Sequence, residues 1–259
     1  MAVLPTTGAP LTTSGYTLSI ADDPTQVAAA QRLRHEVFAA ELGATLRPGT
    51  GGLDVDDFDP YCDHLIVRQE STGTVVGTYR LLPPGRVDRR YAEGEFDLAA
   101  LAPLRDDLVE AGRSCVHPEH RTGAVINLMW AGITRYLHLR GSRWLGGCAS
   151  VPVADGGRAA AEVWALARVR HLAPPPLRVR PLRPWFGEPD VPSPASATGG
   201  AAARALVPPL LRGYLRLGAW VCGEPAYDPD FGVADFYLLF ALDRMNPRYL
   251  RHFLGGAER

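Results

Sequence analysis

Glu110, Arg113, Ser114 and Cys115 stand close together in the stretch EAGRSCVHPEH, just ahead of a long helical pattern. A buried strand is normally written in Val, Ile and Leu, so charge here asks for a partner or a purpose. Two other segments place charge where a core is expected. One is RHEVF, Arg34 to Phe38; the other is DVDDFDPYCDH, Asp54 to His64. Arg80 lies inside the apolar run VVGTYRLL. Arg80 and Arg113 call for carboxylates, and Asp56, Asp59 and Glu110 are the available partners. Such a cluster is either a structural ion-pair network or a site of acid–base chemistry, and composition leaves both open. Clustered Asp oxygens also suit a hard cation. The D-x-[DN]-x-[DN]-G register with its closing Glu is missing, however, and the arginines repel a cation, so no metal is expected.

The second chemical feature is the turn HPEHRTGA, which leads from a strand into a helix. Arg121, Thr122, Gly123 and Ala124 would deliver backbone N–H groups and the positive end of a helix dipole to one point. That arrangement suits a phosphate. His117 and His120 flank it, but histidines in surface loops are common, and His64 at a strand start reads as packed.

The elements that must carry these residues are legible from their periodicities. Tyr16–Ile20 reads as a strand, and Asp22, Asp23 and Pro24 open a helix that ends near Gly43. His64–Gln69 and Val75–Leu82 form a hairpin through Ser71-Thr72-Gly73. Leu108–Val116 is the next strand. Thr122–Arg140 is the clearest helix, with Ile126, Met129, Trp130, Ile133 and Leu137 on one face and Gly141 as its stop. A strand at Trp144–Val151, a helix at Gly157–His171, a short helix at Leu210–Leu217 and closing strands at Ala219–Gly223 and Asp235–Leu242 complete the order. One α/β domain with a mixed central sheet flanked by helices is expected, spanning residues 15–254. Residues 1–14 read as a flexible tail, and 174–209 as an insertion rich in Pro, Arg and Ala.

The 259 residues carry a net charge of −1, and all 27 basic residues are arginine. The charge balance argues against a nucleic-acid partner, and the missing lysine excludes a lysine nucleophile or Schiff base. The four cysteines form no CxxC pair, so a reduced, cytoplasmic protein is expected. No apolar run approaches the roughly 18 residues of a membrane span.

Taken together, the patches resemble the acyltransferases of the GNAT superfamily, whose strand-to-helix turn holds the donor's pantetheine phosphate. The usual [QR]-x-x-G-x-[GA] pattern is altered here to Arg121-Thr122-Gly123-Ala124-Val125-Ile126. The order Arg34…Phe38, Asp56-Asp57-Phe58-Asp59, Tyr79-Arg80-Leu81-Leu82-Pro83 and Glu110-Ala111-Gly112-Arg113 is similar to the motifs of acyl-homoserine-lactone synthases. Ala44, where those enzymes carry a tryptophan, counts against an S-adenosylmethionine acceptor. FDPYCDHLIV, VVGTYRLL, GRSCVHP, GCASV and PPLLRGYLRLGAWVCGEPAYDPDFGVADFYLL more closely resemble the ornithine N-acyltransferases of ornithine-lipid synthesis, over about Arg32 to Leu254.

The resemblance implies transfer of a (3-hydroxy)fatty acyl group from acyl carrier protein to the α-amine of ornithine, giving lyso-ornithine lipid. No cofactor is retained; the acyl-phosphopantetheine thioester is a substrate. Glu110 is then a candidate base, with Asp56 or Asp59 as alternatives. Arg34, Phe38, Arg80 and Arg113 would order the acid loop or grip the acceptor. Ser114, Cys115 and Val116, with Arg121 to Ala124, would hold the donor. Transient contact with the inner membrane face is expected for so insoluble a product. The rival readings are acyl-CoA-dependent transfer to another amine and a non-catalytic acyl-carrier or lipid-binding module.

Overall fold

A computed structural model describes residues 10–185, 207–245 and 247–254. The chain clusters into two compact units, one formed by Met1–Arg86, Val109–Arg143 and Pro247–Arg259, the other by Val87–Leu108 and Trp144–Asn246.

In the first unit β1 (Leu11–Thr13), β2 (Tyr16–Ile20), β3 (Asp63–Gln69), β4 (Val75–Leu82) and β6 (Leu108–Val116) pair antiparallel in the order β1-β2-β3-β4-β6. The expected N-terminal tail is thus corrected from Leu11 onward. Ser14 and Gly15 take positive φ of 29° and 85°, the two-residue turn that lets Leu11 face Leu18. The rest of that tail, 1–9, lies outside the described residues.

Helix α1 (Pro24–His35) starts as expected, with the Asp23 side chain accepting from the Gln26 N–H at 2.9 Å and Pro24 in the first turn. Its buried residues are Ala30, Gln31, Leu33 and Arg34, so polar groups share the packed face. Glu36–Glu41 continue it as a π-helical turn. Ala30, Leu33 and Val37 pack on Ile66, Val75 and Cys115. Helix α2 (Gly123–Arg140) ends at Gly141, whose φ of 67° makes it the left-handed cap. Helix α5 (Pro247–Leu254) packs against α2.

The second unit contains β7 (Trp144–Pro152), β11 (Val233–Ala241) and β10 (Ala226–Asp228), antiparallel in that order, with β9 (Trp220–Val221) also on β11. Helix α3 (Arg158–Arg170) packs on β7, and α4 (Pro209–Leu217) precedes β9. A separate ladder joins β5 (Phe96–Asp97) to β8 (Arg180–Pro181). This pairing shows that the start of the expected 174–209 insertion is built into the fold; 186–206 lie outside the described residues.

One buried and two half-buried carboxylates give this second unit a distinctive pH response. Oxygens of Glu95, Asp228 and Asp235 lie within 4.8 Å of one another. Burial, followed by the charge of Asp235 and a hydrogen bond with it, pushes the Glu95 carboxyl up to about 10. A raised folded value means stability that is complete below the unfolded 4.5 and is lost as pH rises through about 10. The thermal midpoint should therefore fall between pH 7 and pH 10, and Glu95→Gln should flatten that fall. An alkaline limb as steep in the variant as in the wild type would contradict the assignment.

Candidate active site

The acid loop between α1 and β3 folds onto three arginines from three different elements. Arg34 on α1 donates through Nε to Asp54 Oδ2 at 2.8 Å and through Nη2 to Asp59 Oδ2 at 2.9 Å. Arg80 on β4 meets Asp56 Oδ1 at 2.6 Å and Asp59 Oδ1 at 3.1 Å. Arg113 on β6 donates to Asp56 Oδ2 at 3.3 Å, and its Nε lies 3.7 Å from Asp54 Oδ2. Three cations therefore face three anions in a closed, alternating set. Gln31 and His64 complete its shell around Asp59, through Gln31 Nε2 at 3.2 Å and His64 Nε2 at 3.9 Å from the carboxylate.

The electrostatics follow from this pairing. Burial disfavours an ionised Asp59, but the hydrogen bonds and charge of Arg34, with the charge of Arg80, outweigh it and hold the carboxyl well below its usual range. Asp56 is likewise lowered, with burial opposed mainly by Arg80. Burial lowers His64, which favours its neutral form. Lowered carboxylates add stability above the unfolded 3.8 that is lost as pH falls below it. The ion set thus yields to acid.

The structure separates the sequence-predicted residues into groups. It brings Arg34, Arg80, Arg113, Asp56 and Asp59 together. Arg34 cannot grip a substrate, which corrects one of its two expected roles: its side chain is wholly buried and committed to Asp54 and Asp59. Asp54, 3% exposed, belongs to the set although the sequence did not single it out. Its only signal was membership in an acidic run whose inward side could not be told. Phe38 lies in the π-helical turn, packed against the α1 core. Glu110 is buried on β6 in register with Leu82, and its charge is felt at Cys62 alongside those of Arg80, Asp59 and Asp56. Directly opposed residues of an antiparallel pair share a face, so Glu110, Gly112 opposite Arg80, and the ion set look to the same side.

β6 is irregular where chemistry was expected. Thr78 faces Cys115 and Arg80 faces Gly112, so Tyr79 alone opposes Arg113 and Ser114. This is a β-bulge. Arg113 takes φ 52°, a conformation that costs a non-glycine residue of order 1–3 kcal/mol. The bulge turns the Arg113 guanidinium onto Asp54 and Asp56. Cys115 beyond it is buried, and burial pushes its thiol up, as it pushes Cys62 up to about 12. Neither is poised as a thiolate nucleophile.

The turn into α2 has the expected form. Thr122 caps the helix without a side-chain hydrogen bond, and no acid occupies the first turn. Arg121 is engaged, donating to Glu41 at 2.7 Å and 2.5 Å and to the Val116 carbonyl at 3.1 Å. It therefore pins the π-helical turn to the strand end. His117, Glu119 and His120 bring potential metal-ligating atoms within 4.8 Å, and Tyr16 Oη lies 3.0 Å from His120 Nδ1.

Comparison with known proteins bears on this geometry. The acetyltransferase (GNAT) domain family matches residues 33–131, which include the whole ion set and Glu110. The L-ornithine N(alpha)-acyltransferase of Rhodobacter capsulatus is 36% identical over 254 residues, 94% of this chain and 96% of that protein. The chain belongs to the L-ornithine N(alpha)-acyltransferase family. The Brucella abortus member is 32% identical, covering 93% of this chain and 89% of its own. Membership makes the chain an acyltransferase with the α/β GNAT fold, a mixed central sheet flanked by helices, as the motifs implied. A solved CoA-dependent acyl-homoserine lactone synthase aligns over 91% of this chain and 89% of its own, at 15% identity and TM-score 0.49. Among the described residues no helix is long and apolar enough to cross a membrane.

Proposed function

We propose that this acyltransferase moves a (3-hydroxy)fatty acyl group from acyl carrier protein to the α-amine of ornithine, giving lyso-ornithine lipid. The observation that carries this reading is family membership over nearly the whole chain, with every relative compared named for ornithine Nα-acylation. The setting would be cytoplasmic, with the insoluble product leaving at the inner membrane surface.

In the reaction the acceptor's α-ammonium gives a proton to Glu110, directly or through a water. The freed amine nitrogen attacks the thioester carbonyl carbon and the C–N bond forms; as the C–S bond breaks, the nitrogen's second proton passes to the departing pantetheine sulfur, giving amide and thiol, and Glu110 releases its proton to solvent. Glu110 suits the base because it lies on β6 beside the bulge that would receive the thioester. Asp56 and Asp59 are poor bases, since their arginine partners hold them ionised and weakly basic. Their part is to fix Arg80 and Arg113. Backbone groups of Ser114 to Val116 polarise the carbonyl and pair with the pantetheine amides. Thr122, Gly123 and Ala124 meet its phosphate at the helix start, while Arg121 braces that turn. Transfer is direct from thioester to amine, and Cys62 and Cys115 beside the ion set, held protonated by burial, are not its nucleophiles.

Donor competition tests the carrier assignment. With ornithine fixed, equimolar 3-hydroxyacyl carrier protein and a 3-hydroxyacyl-CoA of different chain length should give product mass almost entirely from the carrier-linked chain. Product from the CoA chain alone would assign the CoA-dependent reading instead.

A further inference from the structure

Glycine in the middle of a strand weakens it and marks a place where something must come close. Gly77 on β4 obeys this through packing, and so in its own way does Gly132 on helix α2. A Cβ on Gly77 would meet Val67 Cβ at 3.3 Å and Val125 Cγ1 at 3.4 Å, and one on Gly132 would meet Leu18 Cδ1 at 2.7 Å. Gly112 on β6 is different. Its φ lies outside the left-handed range that needs glycine, and, its two chain neighbours aside, a Cβ there would have no heavy atom of the described residues within 4 Å. Gly112 directly precedes the Arg113 bulge, but its own φ does not need glycine and protein packing does not fill the site, although its strand neighbours Glu110 and Ala111 are 5% and 4% exposed.

The surroundings of that space are chemically specific. Gly112 pairs with Arg80, so its open side is the face that carries Glu110 two residues earlier and the ion set across the strand. Arg34 is sealed within that set, but Asp56 and Arg113 keep side-chain exposures of 17% and 11%. A carboxylate and a guanidinium of the ion set therefore stay accessible, and Glu110 and Gly112 share the face that carries Arg80.

We infer that Gly112 is a specificity-determining position that keeps open the seat of the acceptor amino acid. The seat takes a zwitterion: its ammonium lies toward Glu110 and Asp56, its carboxylate toward Arg113. A planar guanidinium suits a carboxylate. The inference rests on the proposed amino-acid acylation, but does not depend on which amino acid is used.

Gly112→Ala and Gly112→Val test it by steady-state kinetics with thermal melts. The wild type is first run against an amino-acid panel, and its best acceptor is used throughout, so a failure of the ornithine assignment is seen separately. Gly112→Ala should raise the acceptor KM at least tenfold, leave the donor KM within twofold, and keep or raise the melting temperature. Gly112→Val should lower kcat/KM for the acceptor at least a hundredfold. If the valine variant fails to fold, the alanine variant still decides, since a single methyl meets no neighbour. An unchanged acceptor KM, or a rise confined to the donor KM, would overturn the inference.

Discussion

Arg34→Met should cost about 3–5 kcal/mol of stability, the usual consequence of removing one partner from a buried ion pair. The guanidinium is wholly buried and is what meets Asp54 and Asp59 from α1; without it two carboxylates stay buried with Arg80 and Arg113 alone to balance them. Marginal stabilities of about 5–15 kcal/mol make this a large share of the total. The melting temperature should drop by roughly 6–20 °C at neutral pH. Adding Asp54→Asn should restore part of the loss, because two guanidiniums, Arg80 and Arg113, then face two carboxylates, Asp56 and Asp59. A urea midpoint for Arg34→Met within error of the wild type would show that the guanidinium does not organise this loop.

Glu110→Gln should behave in the opposite way, removing turnover and leaving the fold. The amide is nearly isosteric and cannot accept a proton from the ammonium. Loss of a general base of this kind lowers the rate about 10²–10⁴-fold. Melting temperature and the donor KM should stay near those of the wild type. Asp56→Asn provides the contrast: it leaves Arg80 and Arg113 short of an anion, so it should lower stability as well as rate. Full turnover by a folded Glu110→Gln protein would remove Glu110 from the chemistry.

These contrasting effects reflect how legible the site was. Arg80 and Arg113 announced themselves because charge inside apolar strands is expensive, and RHEVF did the same for Arg34. Asp54 did not, because in DVDDFDPYCDH the chain alternates acids and nothing local tells which oxygens turn inward. The Arg113 bulge was hidden for a similar reason. A non-glycine residue at φ 52° has no sequence signature, and the bulge exists only in register with β4.

The same division holds for the fold. The helices and long strands were readable from caps and periodicity, as Asp23, Pro24 and Gly141 show. The β5–β8 ladder was not, since Phe96 pairs with Pro181 across a long separation and neither segment alone reads as a strand. The β1 hairpin was written in Ser14-Gly15 but masked by the polar composition around it.

The most direct test of the account is product formation by the purified chain with 3-hydroxyacyl carrier protein and an amino-acid panel, read by mass spectrometry. An N-acyl-ornithine formed in preference to the acylated forms of lysine, glutamine and glycine is the predicted result. Turnover confined to another amine, or carrier binding with no acylated product from any amine, would contradict it.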